Sequence, residues 1–217
     1  VNANSAAVGI SVSQIDVDGS GTEVIEGQNT NTGSKDETIS AVPSIFIESE
    51  PSNGWVFGLD WIPVGAEFIS SSKTQTNITS AVSATESKTQ KVEGDLDNHI
   101  TFYVETPAFS LGPTGVFLKA GVISVDVTSN ESIGTGSTYG NDTIFGTTVG
   151  LGFKGDLPGN AYYKLEAYYS DYETIELSAT NTTNSVTGDI DAQSAKLSIG
   201  YRSVSYTHLT LQTILLV

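Results

Sequence analysis

The stretch Ser194 to Arg202 alternates without interruption. Ala195, Leu197, Ile199 and Tyr201 fall on one face, and Ser194, Lys196, Ser198, Gly200 and Arg202 on the other. Successive side chains of a β-strand point to opposite sides, so a period of two specifies a strand and not a helix. The two faces also differ in kind. One suits lipid or an apolar core, and the other is small or positively charged.

The same period recurs along the chain. It predicts strands over 7–13, 44–48, 55–61, 99–105, 116–127, 143–154, 161–170 and 194–202. The second and fourth look short for a membrane crossing, which takes about 9–11 residues. In the fifth the pattern slips near Ile123, which predicts a bulge. Pro63 has no N–H to give to a ladder and predicts a strand end or bulge. Gly, Ser, Thr and Asn fill the segments between, and β-branched residues mark the apolar stretches, as in an all-β chain. No apolar run reaches the ~18–20 residues of a transmembrane helix. Without cysteine there is neither a disulfide framework nor a thiolate metal site. A formal net charge of −16 argues against nucleic acid as a partner, since that binding rests on Lys and Arg against phosphate.

Long polar segments at 19–40, 70–98 and 129–142, and a moderate one at 180–188, alternate with short turns at 50–54, 107–115 and 155–160. A soluble sandwich has no reason to keep its long connections at one end. A membrane barrel does. In hydrocarbon every backbone polar group needs an internal partner, so strands can cross only as a closed barrel. Eight strands enclose an interior just wide enough for side chains to fill. The inward charges Asp60, Glu105, Lys119, Lys164, Glu166, Lys196 and Arg202, with Glu48 on the same side, should then meet as ion pairs that plug the lumen. Trp55, Trp61, Tyr163, Tyr169 and Tyr201 should sit in aromatic girdles.

The ending carries a family resemblance. The last strand of bacterial outer-membrane barrels closes on such an alternation, with Tyr third from the end and a terminal Phe. Tyr201 is in place here, and Ser203 stands where the Phe would be. Residues from about 5 to 202 resemble the small eight-stranded outer-membrane barrels of the OmpA, OmpX and opacity-protein kind. The resemblance implies an eight-stranded antiparallel up-and-down transmembrane β-barrel with long extracellular loops and short periplasmic turns. It implies a monomer in the outer membrane of a Gram-negative bacterium, surrounded by outer-membrane lipid and lipopolysaccharide and inserted by the barrel assembly machinery. A structural or surface-interaction role, adhesion or shielding, follows from it. A small porin-like channel for ions or small solutes is the alternative. A lipid-modifying barrel enzyme is a third reading, against which the scarcity of histidine counts.

No catalytic residue and no cofactor is expected. Asp16, Asp18, Ser20 and Gly21 match the first half of a calcium-binding loop, but its twelfth position, which should be a bidentate Glu, is Gly27. His99 is the one histidine before residue 204, with Asp95 and Asp97 nearby but no placed nucleophile or second ligand. Val1-Asn2-Ala3 fits the small-residue pattern of a signal-peptidase site, so residues 1–4 are read as the remnant of a signal peptide and 5–203 as the barrel. Residues 204–217 resemble one translated frame of a transposon sequencing adapter and are set apart as an artefactual tail.

Overall fold

The computed structural model describes residues 4–25, 29–63, 66–78, 85–132, 141–178 and 185–205. They form eleven strands: β1 Asn4–Ile25, β2 Asn29–Glu50, β3 Val56–Ile62, β4 Ala66–Ile78, β5 Thr85–Glu105, β6 Phe109–Leu111, β7 Thr114–Ser132, β8 Asp142–Asp156, β9 Ala161–Tyr172, β10 Ile175–Ser178 and β11 Ser185–Ser205. Eight of them make a ring of antiparallel neighbours, β1–β2–β3–β5–β7–β8–β9–β11 and back to β1. β4 and β10 continue β3 and β9 upward, and β6 folds back on the start of β7. The chain is an all-β, eight-stranded antiparallel barrel. No described helix is long and apolar enough to cross a membrane, and a barrel crosses with strands.

At one end the connections are tight. Gly54 N–H donates to Pro51 O at 3.0 Å, with Gly54 at φ 80° closing the turn. A 3-10 turn over Pro158–Asn160 joins β8 to β9, with Gly159 at φ 76°. The other end differs from expectation. Much of the polar sequence at 19–40, 70–98, 129–142 and 180–188 is paired strand, so β2 and β5 run 22 and 21 residues and are not short. Those segments are mostly polar in sequence, and cross-strand hydrogen bonds hold them as strand.

The slip expected at Ile123 is not a bulge. β7 pairs β8 in unbroken register from Gly115 to Val127, and Phe117, Lys119, Ile123, Val125 and Val127 all stay buried on the inner side. What changes is polarity. Near the turns the wall is apolar outside, as at Ile10, Leu118, Val149 and Ile199, and charged inside. Beyond Val12, Val122 and Ala195 the outside turns polar, with Gln14, Ser124 and Gln193, and the inside turns apolar. Val17, Val125, Val127, Ile144, Ile190 and Ala192 pack there as an apolar core, flanked by Ile15, Ile39, Tyr172 and Ile175. A wall bathed in lipid needs apolar residues outside, and the same wall bathed in water needs them inside. The inversion is what a wall passing from lipid into water would show.

The bulges lie on other strands. Ser40 and Ala41 of β2 oppose Gln14 alone, with Ala41 at φ 60°. Asn98 and His99 of β5 oppose Val125 alone, with Asn98 at φ 50°. Between these strands β3 stops at Ile62, as Pro63 predicts. The β2–β3 ladder ends at Ile45 and Trp61, and two residues further its register would bring Pro43 opposite Pro63. Neither proline has an N–H to donate. Above this point no pairing joins β2 to β4, nor β10 to β8, among the described residues. The barrel opens there into two sheets, β10–β11–β1–β2 and β4–β5–β7–β8, clasped over the apolar core.

Candidate functional site: the charged lumen

Inside the lipid-facing half, alternation aims four cations and four carboxylates at one another. Lys164 Nζ donates to Glu105 Oε1 at 2.8 Å and also to Glu48. Lys119 Nζ donates to Glu166 Oε1 at 2.7 Å, and Lys196 Nζ to Asp60 Oδ2 at 2.5 Å. Lys154 Nζ lies 3.8 Å from Glu105 Oε2. Hydroxyls add to the carboxylates of Glu48 and Asp60, while Glu105 Oε2 is buried without a hydrogen-bond partner. Tyr103 and Tyr162 donate to Glu48 at 2.7 and 2.5 Å, and Ser44 donates to Asp60 at 3.2 Å.

Aromatic rings fill the space between charges. Lys119 Nζ stands 3.7 Å from the centre of the Tyr103 ring, and Lys164 Nζ 4.9 Å from that of Phe46. Glycine makes room for the rings. A Cβ at Gly58 would collide with Tyr103, and one at Gly200 with Tyr162. The charges are buried: Glu105 is 0% exposed and Lys164 1%. Above the plug a cavity of about 30 Å³ is lined by Asp60, His99, Thr101 and Lys196, among others, with room for about one or two waters.

The structure brings together Asp60 with Lys196, Glu105 with Lys164, and Lys119 with Glu166. Arg202 lies apart from these, at the mouth beside the turns, where it reaches Asp156 at 2.8 Å and Glu50 at 3.8 Å. Sequence reasoning left Lys154 out of the plug, and named Glu48 as inward without making it the hub that binds Lys164, Tyr103 and Tyr162. The signal for Lys154 was its phase, shared with Gly150 and Gly152.

Trp55, Trp61, Tyr169 and Tyr201 are exposed on the outer wall and Tyr163 is half-buried there. Trp55, Tyr163 and Tyr201 lie near the turns. Tyr169 lies near the polarity inversion, its hydroxyl donating to Asp191 at 2.5 Å, and Trp61 stands two residues below Pro63. Asp16, Asp18 and Ser20 are not in a loop. They lie on one outward face of β1, extended, so their side chains run in a line and do not encircle a point. Among the described residues no group of three or more acidic or histidine side chains is placed to hold a metal ion. His99 Nε2 lies 3.1 Å from Tyr172 Oη, while Nδ1 has no hydrogen-bond partner. At the ends, Asn4 and Ser5 pair with Ser205 and Val204. Residues 1–3 and 206–217 lie outside the described residues.

No family model and no curated protein matches the sequence. Solved structures do match the fold. The outer membrane protein OprG from Pseudomonas aeruginosa superposes with a TM-score of 0.62 at 12% identity, over 94% of this chain and 98% of that one. The outer membrane protease OmpT from Escherichia coli gives 0.52 at 7% identity, over 92% and 97%. At such identities the likeness speaks for the fold alone. A closed ring of eight strands, an apolar outer band and these neighbours agree on the fold: the chain has the fold of an outer-membrane β-barrel, with an exposed apolar band of the kind that lipid surrounds.

Proposed function

We propose that this barrel is a non-conducting scaffold with a structural or surface-interaction role, its short turns in the periplasm and its long hairpins outside. The observation that carries this reading is the lumen plug: four lysines and four carboxylates paired with one another in the barrel interior. Buried charges persist when paired and hydrogen-bonded, and such pairs hold one another in place. The apolar core above the plug is a second barrier in this reading, since ions would have to pass apolar side chains. With the lumen closed twice, the surface that remains for function is the outer pair of sheets. In this reading the barrel is a monomer that meets lipopolysaccharide along its outer belt and enters the membrane through the barrel assembly machinery. Planar-bilayer recording of the refolded chain tests it. Silence at moderate voltage is the expected result. Steady channels of porin size would overturn the reading and favour a porin-like role.

A further inference from the structure

The sheet β10–β11–β1–β2 ends in an open strand. β2 pairs with β1 from Asn29 to Glu50, but with β3 only from Ile45 to Ser49. Its other edge, from Asn29 to Val42, has no strand beside it among the described residues. An edge of this kind presents unpaired N–H and C=O groups that another extended chain can pair with. Pro43 bounds the edge below.

The outer wall along this sheet and the neighbouring β9 carries a row of like charges. Asp36 of β2 is opposite Asp18 of β1, Asp18 is opposite Asp191 of β11, and Asp191 is opposite Asp171 of β9. Cross-strand neighbours have Cβ atoms about 4.5–5.5 Å apart, and like charges so placed repel. Asp16 and Asp189 flank the row on the same face. Asp36 ends the row at the open edge. Whatever strand lies beside β2 continues it, and its residue opposite Asp36 enters a field of carboxylates.

We propose that the open edge of β2 over 29–42 docks an extended, lysine- or arginine-rich segment of another protein by strand addition. The proposal rests on the surface-interaction reading and names the partner chemistry. The backbone edge supplies the hydrogen bonds, and the aspartate row supplies the selection. A second copy of this chain is disfavoured at the same edge, because two β2 strands would bring two rows of aspartate together. Charged edges guard against such self-pairing.

The test uses the full chain refolded in lipid nanodiscs and a short labelled peptide alternating Lys and Thr. Binding is read by fluorescence anisotropy, and its place by hydrogen exchange. The peptide should bind, and should slow exchange of amides in 29–42 while leaving β11 amides unchanged. Asp36→Asn, an exposed change, should weaken binding about two- to five-fold. The same peptide with alternate backbone nitrogens methylated keeps its charge but loses edge donors, and should bind poorly. A peptide alternating Glu and Thr should not bind. Equal binding of the methylated peptide would overturn strand addition and leave charge adsorption. Absence of binding, or equal binding of the acidic peptide, would overturn the proposal. Neither result touches the conductance test of the scaffold reading.

Discussion

Lys164 Nζ and Glu105 Oε1 stand 2.8 Å apart in the barrel interior, 59 residues from each other in the chain and 1% and 0% exposed at their side chains. β9 and β5 supply them from separate parts of the ring. Lys164→Met would leave both Glu105 and Glu48 without that cation. It should lower stability by about 3–5 kcal/mol, the cost of an uncompensated buried charge. The urea midpoint of refolded barrel in liposomes measures it. Lys164→Met with Glu105→Leu should recover part of the loss, since one of the stranded carboxylates is gone. An undiminished midpoint in Lys164→Met would mean the plug does not hold the barrel.

Gly58 is where Tyr103 gains access to Glu48. A Cβ there collides with the Tyr103 ring, and the ring is wedged under Lys119 with its hydroxyl on Glu48. Gly58→Ala should displace the ring and destabilise by about 1–3 kcal/mol, as overpacking does. Gly33→Ala, where a Cβ meets nothing within 4 Å, should stay within about 0.5 kcal/mol. Denaturation of the two variants side by side decides it.

Val125 is 0% exposed in the apolar core between the outer sheets. Val125→Ala should cost about 1–3 kcal/mol, from lost burial plus the cavity left behind. The loss should be local. Hydrogen exchange should quicken at 123–127 and 142–146 while the lower rungs of β8 and β9 keep their protection. Uniform quickening would show that plug and outer core unfold as one unit.

Asp126 lies above the apolar belt, where Thr143 donates to it at 2.7 Å and Asn98 at 3.1 Å. These two hydrogen bonds, Thr143 foremost, hold its carboxyl below the ordinary Asp value of 3.8. A depressed carboxyl contributes stability that is fully present above the unfolded pKa and lost as pH falls through the folded one. The contribution is therefore intact at neutral pH and disappears only below 3.8. Asp126→Asn should flatten that part of the stability profile and leave the neutral-pH difference small, as befits an exposed group. Denaturant midpoints of both proteins across the acid range test the slope.

Much of the barrel was legible in the sequence. Alternation over Ala195 to Tyr201, Leu165 to Tyr169 and Phe145 to Phe153 assigned the lipid-facing residues, because lipid forces one face to be apolar and period two then places every neighbour. The same phases put Lys119, Lys164, Glu166 and Lys196 on the inner side. Beyond the belt the signal weakened. The hairpins above Ile15 and Val125 read as loops and as a slipped phase, because in water the apolar face moves inward and the outward one needs only to be polar.

Only the tertiary structure decided who meets whom. Periodicity states a face and not a partner, so Glu48 as the hub of Lys164, Tyr103 and Tyr162 depends on shear and registry between β2, β5 and β9. The same is true of Pro43 and Pro63. Each reads alone as a weak point in a strand, but the β2–β3 register sets them opposite, and two absent donors at one rung open the wall. The aspartates at 18, 36, 171 and 191 are scattered acids in the sequence and a single row on the sheet, because pairing converts distant positions into neighbours about 5 Å apart.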